Sequence, residues 1–270
     1  EDNHIIVGIK PQNISVQEDE SQDIDMLTII KNFIKERDKK PGNVFLGLVH
    51  RLDRPTGGVM VFAKTSKAAS RLSEQIKNNE LSKKYFAIVE GEVKQPKQRL
   101  IDYLKKNEKT NVVSVVGEAV TGAKYAELSY ESVSSVKNTT LLSVDLVTGR
   151  SHQIRAQLSN MGNVIYNDFK YGSKTKSRLM LHAKTLELID PRTNKILTIK
   201  TRNKHHEEIP ADCSVRRHAH HGSGLPPEAR VRSQEALLHE DAPRSSSSAH
   251  RGAEGRNEGQ VRGQEGARCR

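Results

Sequence analysis

Tryptophan is absent from this chain and cysteine nearly so: 270 residues hold two, Cys213 and Cys269. Two thiols do not make a disulfide framework, so a cytoplasmic setting is expected. No apolar run approaches the roughly 20 residues that a membrane-spanning helix needs, so no membrane partner is expected either. No secretory signal is visible and no initiator Met opens the chain, which leaves room for residues lost upstream. Aromatics are scarce, and all eleven (six Tyr, five Phe) precede residue 172. Acidic residues are the minority: 44 Lys+Arg stand against 33 Asp+Glu, a formal net charge of +11. Such a surplus favours a polyanionic partner, because Lys and Arg that neutralise phosphates release condensed counterions. A solvated basic surface has the same composition, so charge alone does not decide.

The length suits one large domain or two small ones, but the chain is not uniform. From about Asn203 it becomes rich in Arg, His, Ala, Gly, Ser and Glu, with the run Ser245-Ser246-Ser247-Ser248. Residues 203–270 hold 11 Lys+Arg and 10 Asp+Glu, so nearly all of the positive surplus lies in residues 1–202. The tail has too few apolar side chains to offset its ordering entropy and is expected to be disordered. A frameshift or mis-joined reading frame would account for its unlikeness to the rest.

In residues 1–202, short apolar runs alternate with turn signals and a few helical patterns. Strands are expected at Ile5–Ile9, Val44–Val49, Val59–Ala63, Tyr85–Glu90 and Leu141–Val147. A hairpin is expected from Leu179–Leu188 and Lys195–Ile199 across the turn Asp190–Asn194. Helices are expected from Asp25 to Glu36, with Met26, Ile29, Ile30 and Phe33 on one face, and over Ser66–Asn78, with Ser66 as N-cap. A third is expected over Ser151–Asn160, with Ile154, Leu158 and Met161 inward and Gly162 as the stop. The pattern is α+β, dominated by strands, with no internal repeat.

The segment His50-Arg51-Leu52-Asp53-Arg54-Pro55-Thr56-Gly57-Gly58 lies between two expected strands. Pro55 fixes a dihedral, and Gly57-Gly58 permits a tight return or the close approach of another backbone. A carboxylate on a loop held by rigid strands is a common catalytic arrangement; an Asp-Arg-Pro turn with a surface ion pair reads the same way in isolation.

Four further segments change that balance. His50–Gly58 resembles the signature of RluA-type pseudouridine synthases. Asn3–Pro11 resembles that family's opening strand, which ends in Lys-Pro. Lys83–Gly91 resembles the segment carrying its active-site tyrosine, here Tyr85. Val147–Arg155 resembles its arginine-bearing motif, and Arg178–Lys184 with Leu186 its closing strand. These matches run in order over roughly residues 1–200. Gly57 stands where the family more often has Ser, and Ser151 where it more often has Thr; neither removes a catalytic group.

The resemblance implies a mixed, mostly antiparallel sheet forming a catalytic domain over residues 1–202. It implies an enzyme that isomerises uridines in structured RNA, ribosomal or transfer, by breaking C1′–N1 and forming C1′–C5. No cofactor and no metal are expected for that chemistry, and a monomer is expected. Asp53 is then the catalytic carboxylate, acting at C1′, at C6, or on the departing base. Arg150 is the cation expected beside it. Arg155, about 140° further round a helix, and His152 would contact RNA or hold the local fold. Tyr85 would stack on the uracil and assist loss of the C5 proton, and Leu181 would line the pocket. Arg51, Arg54, Lys64, Lys83, Lys84, Lys170 and Lys174 are candidates for flanking phosphates. The family often carries an N-terminal S4-type RNA-binding module, which the chain as given does not show.

Three rival readings stand beside this one. A non-catalytic RNA-binding or ribosome-assembly protein would not need Asp53, Tyr85 and Arg150 together. A glycosidase needs two carboxylates at a set separation, and the motifs offer one. A metal site from Cys213, His218, His220, His221 and Cys269 fits no familiar zinc spacing.

Overall fold

The computed structural model describes residues 1–201; the readings that fall on residues 203–270 lie outside them. In chain order the elements are β1 (Ile5–Lys10), α1 (Met26–Arg37), β2 (Gly47–Leu48), β3 (Gly57–Ala63), α2 (Ser66–Lys77), β4 (Ser82–Glu90), β5 (Lys97–Asn107), β6 (Val112–Val116), β7 (Lys124–Val136), β8 (Thr139–Leu146), α3 (Gln153–Asn160), β9 (Leu181–Ile189) and β10 (Ile196–Lys200). A short 3-10 turn covers Phe169–Tyr171. One mixed sheet runs β1-β3-β9-β4-β8-β7-β5-β6, with β10 on β9 and β2 on β3. Every strand pair in it is antiparallel except β3 with β9.

β3 is buried along its whole length because both faces of the sheet are covered there. Met60 and Phe62 join one core with Ile30 and Ile34 of α1. Val59, Val61 and Ala63 join the other with Ala68 and Leu72 of α2. A strand covered on both faces reads as an unbroken apolar run, which is why Val59–Ala63 was legible. The other β3 edge is divided. β9 pairs in parallel only with Gly57 and Gly58, and β2 takes Phe62 and Ala63. Between them the Val61 N–H donates to Nε2 of His50 at 3.1 Å. A side chain thus stands where a strand would, and the chain from Val49 to Thr56 is free to loop. Gly58 is required: at φ +134° a Cβ would lie 2.4 Å from the carbonyl oxygen of Ala183 on β9.

Several local expectations need correction. The buried face of α1 is Met26, Ile30 and Ile34. Phe33 is exposed and lies under the Arg37 guanidinium instead. Asp25 caps α1, its carboxylate accepting the Thr28 N–H. The α2 cap is Thr65 rather than Ser66. The strand expected over Val44–Val49 shrinks to Gly47–Leu48. The larger omission is β5, β6 and β7, where the sequence reading assigns no strand. On β5 and β7, charged and polar side chains alternate with the few buried ones, Leu100 and Leu104 on β5 and Ala126, Leu128 and Tyr130 on β7; β6 is the short run Val112–Val116 with Val113 buried. The third helix begins at Gln153, after a non-helical Ser151 and a left-handed His152.

Candidate active site

The loop bearing Asp53 is fixed from beneath. The Asp53 carbonyl accepts the Thr56 N–H at 2.9 Å, closing a turn. The Arg54 carbonyl accepts the Asn13 N–H at 2.8 Å and Nζ of Lys10 at 3.0 Å. Lys10 is almost wholly buried, and its ammonium also donates to the carbonyls of Pro11 and Ile14. Burial pulls its pKa down to about 8 against the opposing pull of Asp53, so it is still mainly charged at neutral pH. At the head of the loop, burial and then the Lys83 charge bring His50 down to about 3. A neutral imidazole accepting at Nε2 carries its hydrogen on Nδ1, so His50 is a strut for the loop.

The Asp53 side chain is 26% exposed and faces a cleft of about 1210 Å³. Behind it stands Arg155, 5% exposed, with Nη1 3.6 Å from Oδ2. The other side of that guanidinium grips Asp168 in a fork, Nε to Oδ2 and Nη2 to Oδ1, each at 2.7 Å. Its carbon lies 4.8 Å from the centre of the Tyr171 ring. Burial works against charge on Arg155, but the hydrogen bonds to Asp168 and the charges of Asp168 and Asp53 prevail and raise its pKa. Nε2 of His152 lies 3.9 Å from the same Asp53 oxygen.

This reverses the expected roles of the two arginines. Arg150 precedes the helix, is exposed, and donates from Nε to the Tyr125 carbonyl at 2.8 Å. Because α3 starts only at Gln153, the helical rotation invoked between positions 150 and 155 does not apply. The cation of Asp53 is Arg155. Arg150 sits on the cleft rim, where its backbone N–H donates to Oε1 of Gln153 at 3.0 Å.

The remaining candidates divide as follows. Tyr85 and Leu181 are buried and line the cleft. Burial, then the Asp53 charge, pushes the Tyr85 phenol up, so it keeps its proton at neutral pH. Arg51 is exposed on the rim. Arg54 is held by Asp19 and Asp23 and by the Asn13 carbonyl. Lys83 and Lys170 line the cleft, whereas Lys64, Lys84 and Lys174 do not. Lys64 pairs with Glu1 and Lys84 with Asp145. Eight Lys and Arg against four carboxylates line the whole cleft, which suits a polyanion.

Sequence reasoning missed Asp168, Tyr171, Gln153 and the buried role of Lys10. Gln153 joins Thr148, Arg150, Glu127 and Gln157 in one hydrogen-bonded group under α3. Lys10-Pro11 was visible only as a strand end. Asp168 carries no local signal, since its partner lies across an irregular loop.

The sequence model of the family described as RNA pseudouridylate synthase matches residues 4–160. The ribosomal large subunit pseudouridine synthase C of Buchnera aphidicola subsp. Schizaphis graminum is 34% identical over 216 residues, which is 74% of this chain and 64% of that protein. An uncharacterized RNA pseudouridine synthase of Helicobacter pylori is 32% identical over 212 residues, 74% of this chain and 64% of its own. The chain thus spans slightly less than two thirds of the length of these curated relatives. Among solved structures, human RNA pseudouridylate synthase domain containing 1 superposes with a TM-score of 0.65 at 19% identity, covering 79% of this chain and 86% of that one. Human RNA pseudouridylate synthase domain containing 4 gives 0.63 at 21%, covering 75% and 86%. At those identities the two structures share the fold with this chain.

Proposed function

The chain belongs to the RNA pseudouridylate synthase family, and from that premise we propose that it converts uridines in structured RNA to pseudouridine at the Asp53 cleft. The observation that carries the reading is a partly exposed carboxylate backed by a buried, forked arginine on the wall of a basic cleft. The C1′–N1 bond breaks, the base turns, C1′–C5 forms, and the C5 proton leaves as N1 gains one, so atoms and charge balance with no imported group.

Asp53 supplies the carboxylate that acts on the target nucleotide. Arg155 places a positive charge 3.6 Å behind that carboxylate. Tyr85 presents a ring to the uracil; because its phenol holds its own proton, the C5 proton passes to Asp53 or to water. Leu181 supplies apolar lining. The uridine must leave its stack, at a cost of a few kcal/mol, and Arg51, Lys83, Arg150 and Lys170 are placed to hold the phosphates around it. The names of the curated relatives favour ribosomal RNA of the large subunit over transfer RNA, and with it a cytoplasmic setting. A glycosidase needs a second carboxylate at a set separation; here Asp168 is buried and occupied by Arg155, Asp19 pairs with Arg54 and Glu127 with Arg99.

The test is tritium release from RNA labelled at uracil C5. The wild type is expected to release tritium and Asp53→Asn to release none. Equal release from both, or none from a folded wild type offered total cellular RNA, would overturn the proposal.

A further inference from the structure

One pair beside Asp53 has no part in the scheme above. The Tyr171 hydroxyl lies 2.8 Å from Nδ1 of His152, and it also accepts the Val113 N–H at 3.0 Å. The two rings meet edge to face, 5.7 Å apart at 80°. His152 is held in the left-handed region, φ 50° and ψ 20°, at the start of α3, where its side chain makes no capping bond. A non-glycine residue is kept in that conformation only when its surroundings over-determine it.

The hydrogens follow from counting. Burial raises the Tyr171 pKa, so the hydroxyl has one hydrogen to give. One of its lone pairs is already taken by Val113. Among the described residues the acceptor within reach is Nδ1. If Nδ1 carried the hydrogen instead, the phenol hydrogen would have no partner among the described residues and the Nε2 lone pair would face the Asp53 carboxylate. With Nδ1 as acceptor, a neutral imidazole carries its hydrogen on Nε2. Burial favours that neutral form. The charges that bear on the ring are Asp53 and Asp168, which favour protonation, and Arg155 and Lys170, which oppose it.

We propose that Tyr171 locks His152 in the Nε2–H tautomer, making the imidazole a fixed hydrogen-bond donor beside Asp53 and excluding it as a base. The 3.9 Å between Nε2 and Oδ2 is too long for a direct hydrogen bond. The N–H is therefore available to an oxygen of the bound nucleotide seated next to the carboxylate. Tyr171 is a positioning residue acting through His152. The tautomer stands on the protein alone; the use of its N–H in turnover rests on the proposed uridine isomerisation.

The first measurement is nitrogen NMR of 15N-histidine-labelled full-length protein without RNA. The His152 ring is expected to show a protonated Nε2 and an unprotonated Nδ1, and Tyr171→Phe is expected to lose that pattern. A protonated Nδ1 in the wild type overturns the proposal without any variant having to fold. The second is turnover on RNA. Tyr171→Phe is expected to lower kcat about tenfold, the scale of one hydrogen bond, with KM changed less than about twofold. His152→Gln, which keeps an N–H donor, is expected to retain more kcat than His152→Leu. Equal loss in those two variants, or wild-type kcat in Tyr171→Phe, overturns the donor role. A wild type with the expected tautomer that forms no pseudouridine sinks the isomerase reading and leaves the tautomer standing.

Discussion

The back wall and the rim of the Asp53 cleft both use arginine, in opposite ways. At the back, Arg155 is 5% exposed and each edge of its guanidinium has a task, one gripping Asp168 and one facing Asp53. On the rim, Arg51 and Arg150 are exposed. The back arginine is part of the fold and cannot be removed without leaving a buried carboxylate unanswered. Arg51 can be removed with little more than a loss of charge, and Arg150 with that and one exposed hydrogen bond to the Tyr125 carbonyl. Chemistry and RNA affinity should therefore separate by mutation.

The sharpest way to break that contrast is Arg155→Ala. Asp168 would be left buried without its partner, a loss of about 3–5 kcal/mol, read as a fall in urea midpoint together with lost turnover. Unchanged stability would mean that back wall and rim do not differ. Arg155→Lys keeps the charge without the fork and should fall between Ala and wild type in both measurements.

Gly58→Ala comes next. The added methyl has no space beside Ala183, so thermal unfolding should shift downward and turnover fall with it, whereas Gly42→Ala, whose Cβ would meet nothing within 4 Å, should be silent.

The pH response of His50 gives a smaller effect. Its pKa is about 3 in the fold against an ordinary 6.5, so the unfolded chain binds the proton first as pH falls. The contribution is complete above pH 6.5 and is lost progressively as pH drops toward 3. His50→Gln should show a flatter dependence of denaturation midpoint on pH in that window, and equal slopes would refute the neutral strut.

The smallest effects belong to the rim. Arg51→Ala and Arg150→Ala should weaken RNA binding with a salt-dependence slope lower by about 1 each, at unchanged midpoint in urea. A large stability loss in either would move it to the back wall.

What could be read from sequence follows the same division. β3 announced itself because every residue in it is buried, and the Asp53 loop was recognisable from Pro55 and the paired glycines. Tyr85 and Leu181 were placed on the cleft by motif, and the structure puts both there. Arg150 was expected beside Asp53 from its match to the family's arginine-bearing motif, and the structure puts Arg155 there instead. Asp168 and Tyr171 were not legible at all: they reach the site through tertiary contacts to α3 across an irregular loop. β5 and β7 were missed for a related reason, since their buried residues are few and spaced by charge. The alternation Ala126-Leu128-Tyr130 is the faint signal that was there to be used.

The two-residue parallel contact between β3 and β9 has a consequence for how the protein is made. Gly57 and Gly58 leave the ribosome long before their partners His182 and Ala183, roughly ten seconds earlier at ordinary synthesis rates. Until β9 arrives, the strand after the Asp53 loop lacks one neighbour, and Leu181, part of the pocket lining, has not yet been made. Pairings between distant parts of a chain form late, so the cleft beside Asp53 is among the last parts of the fold to be completed. A nascent chain of this design lacks its complete cleft until nearly all of its described domain exists.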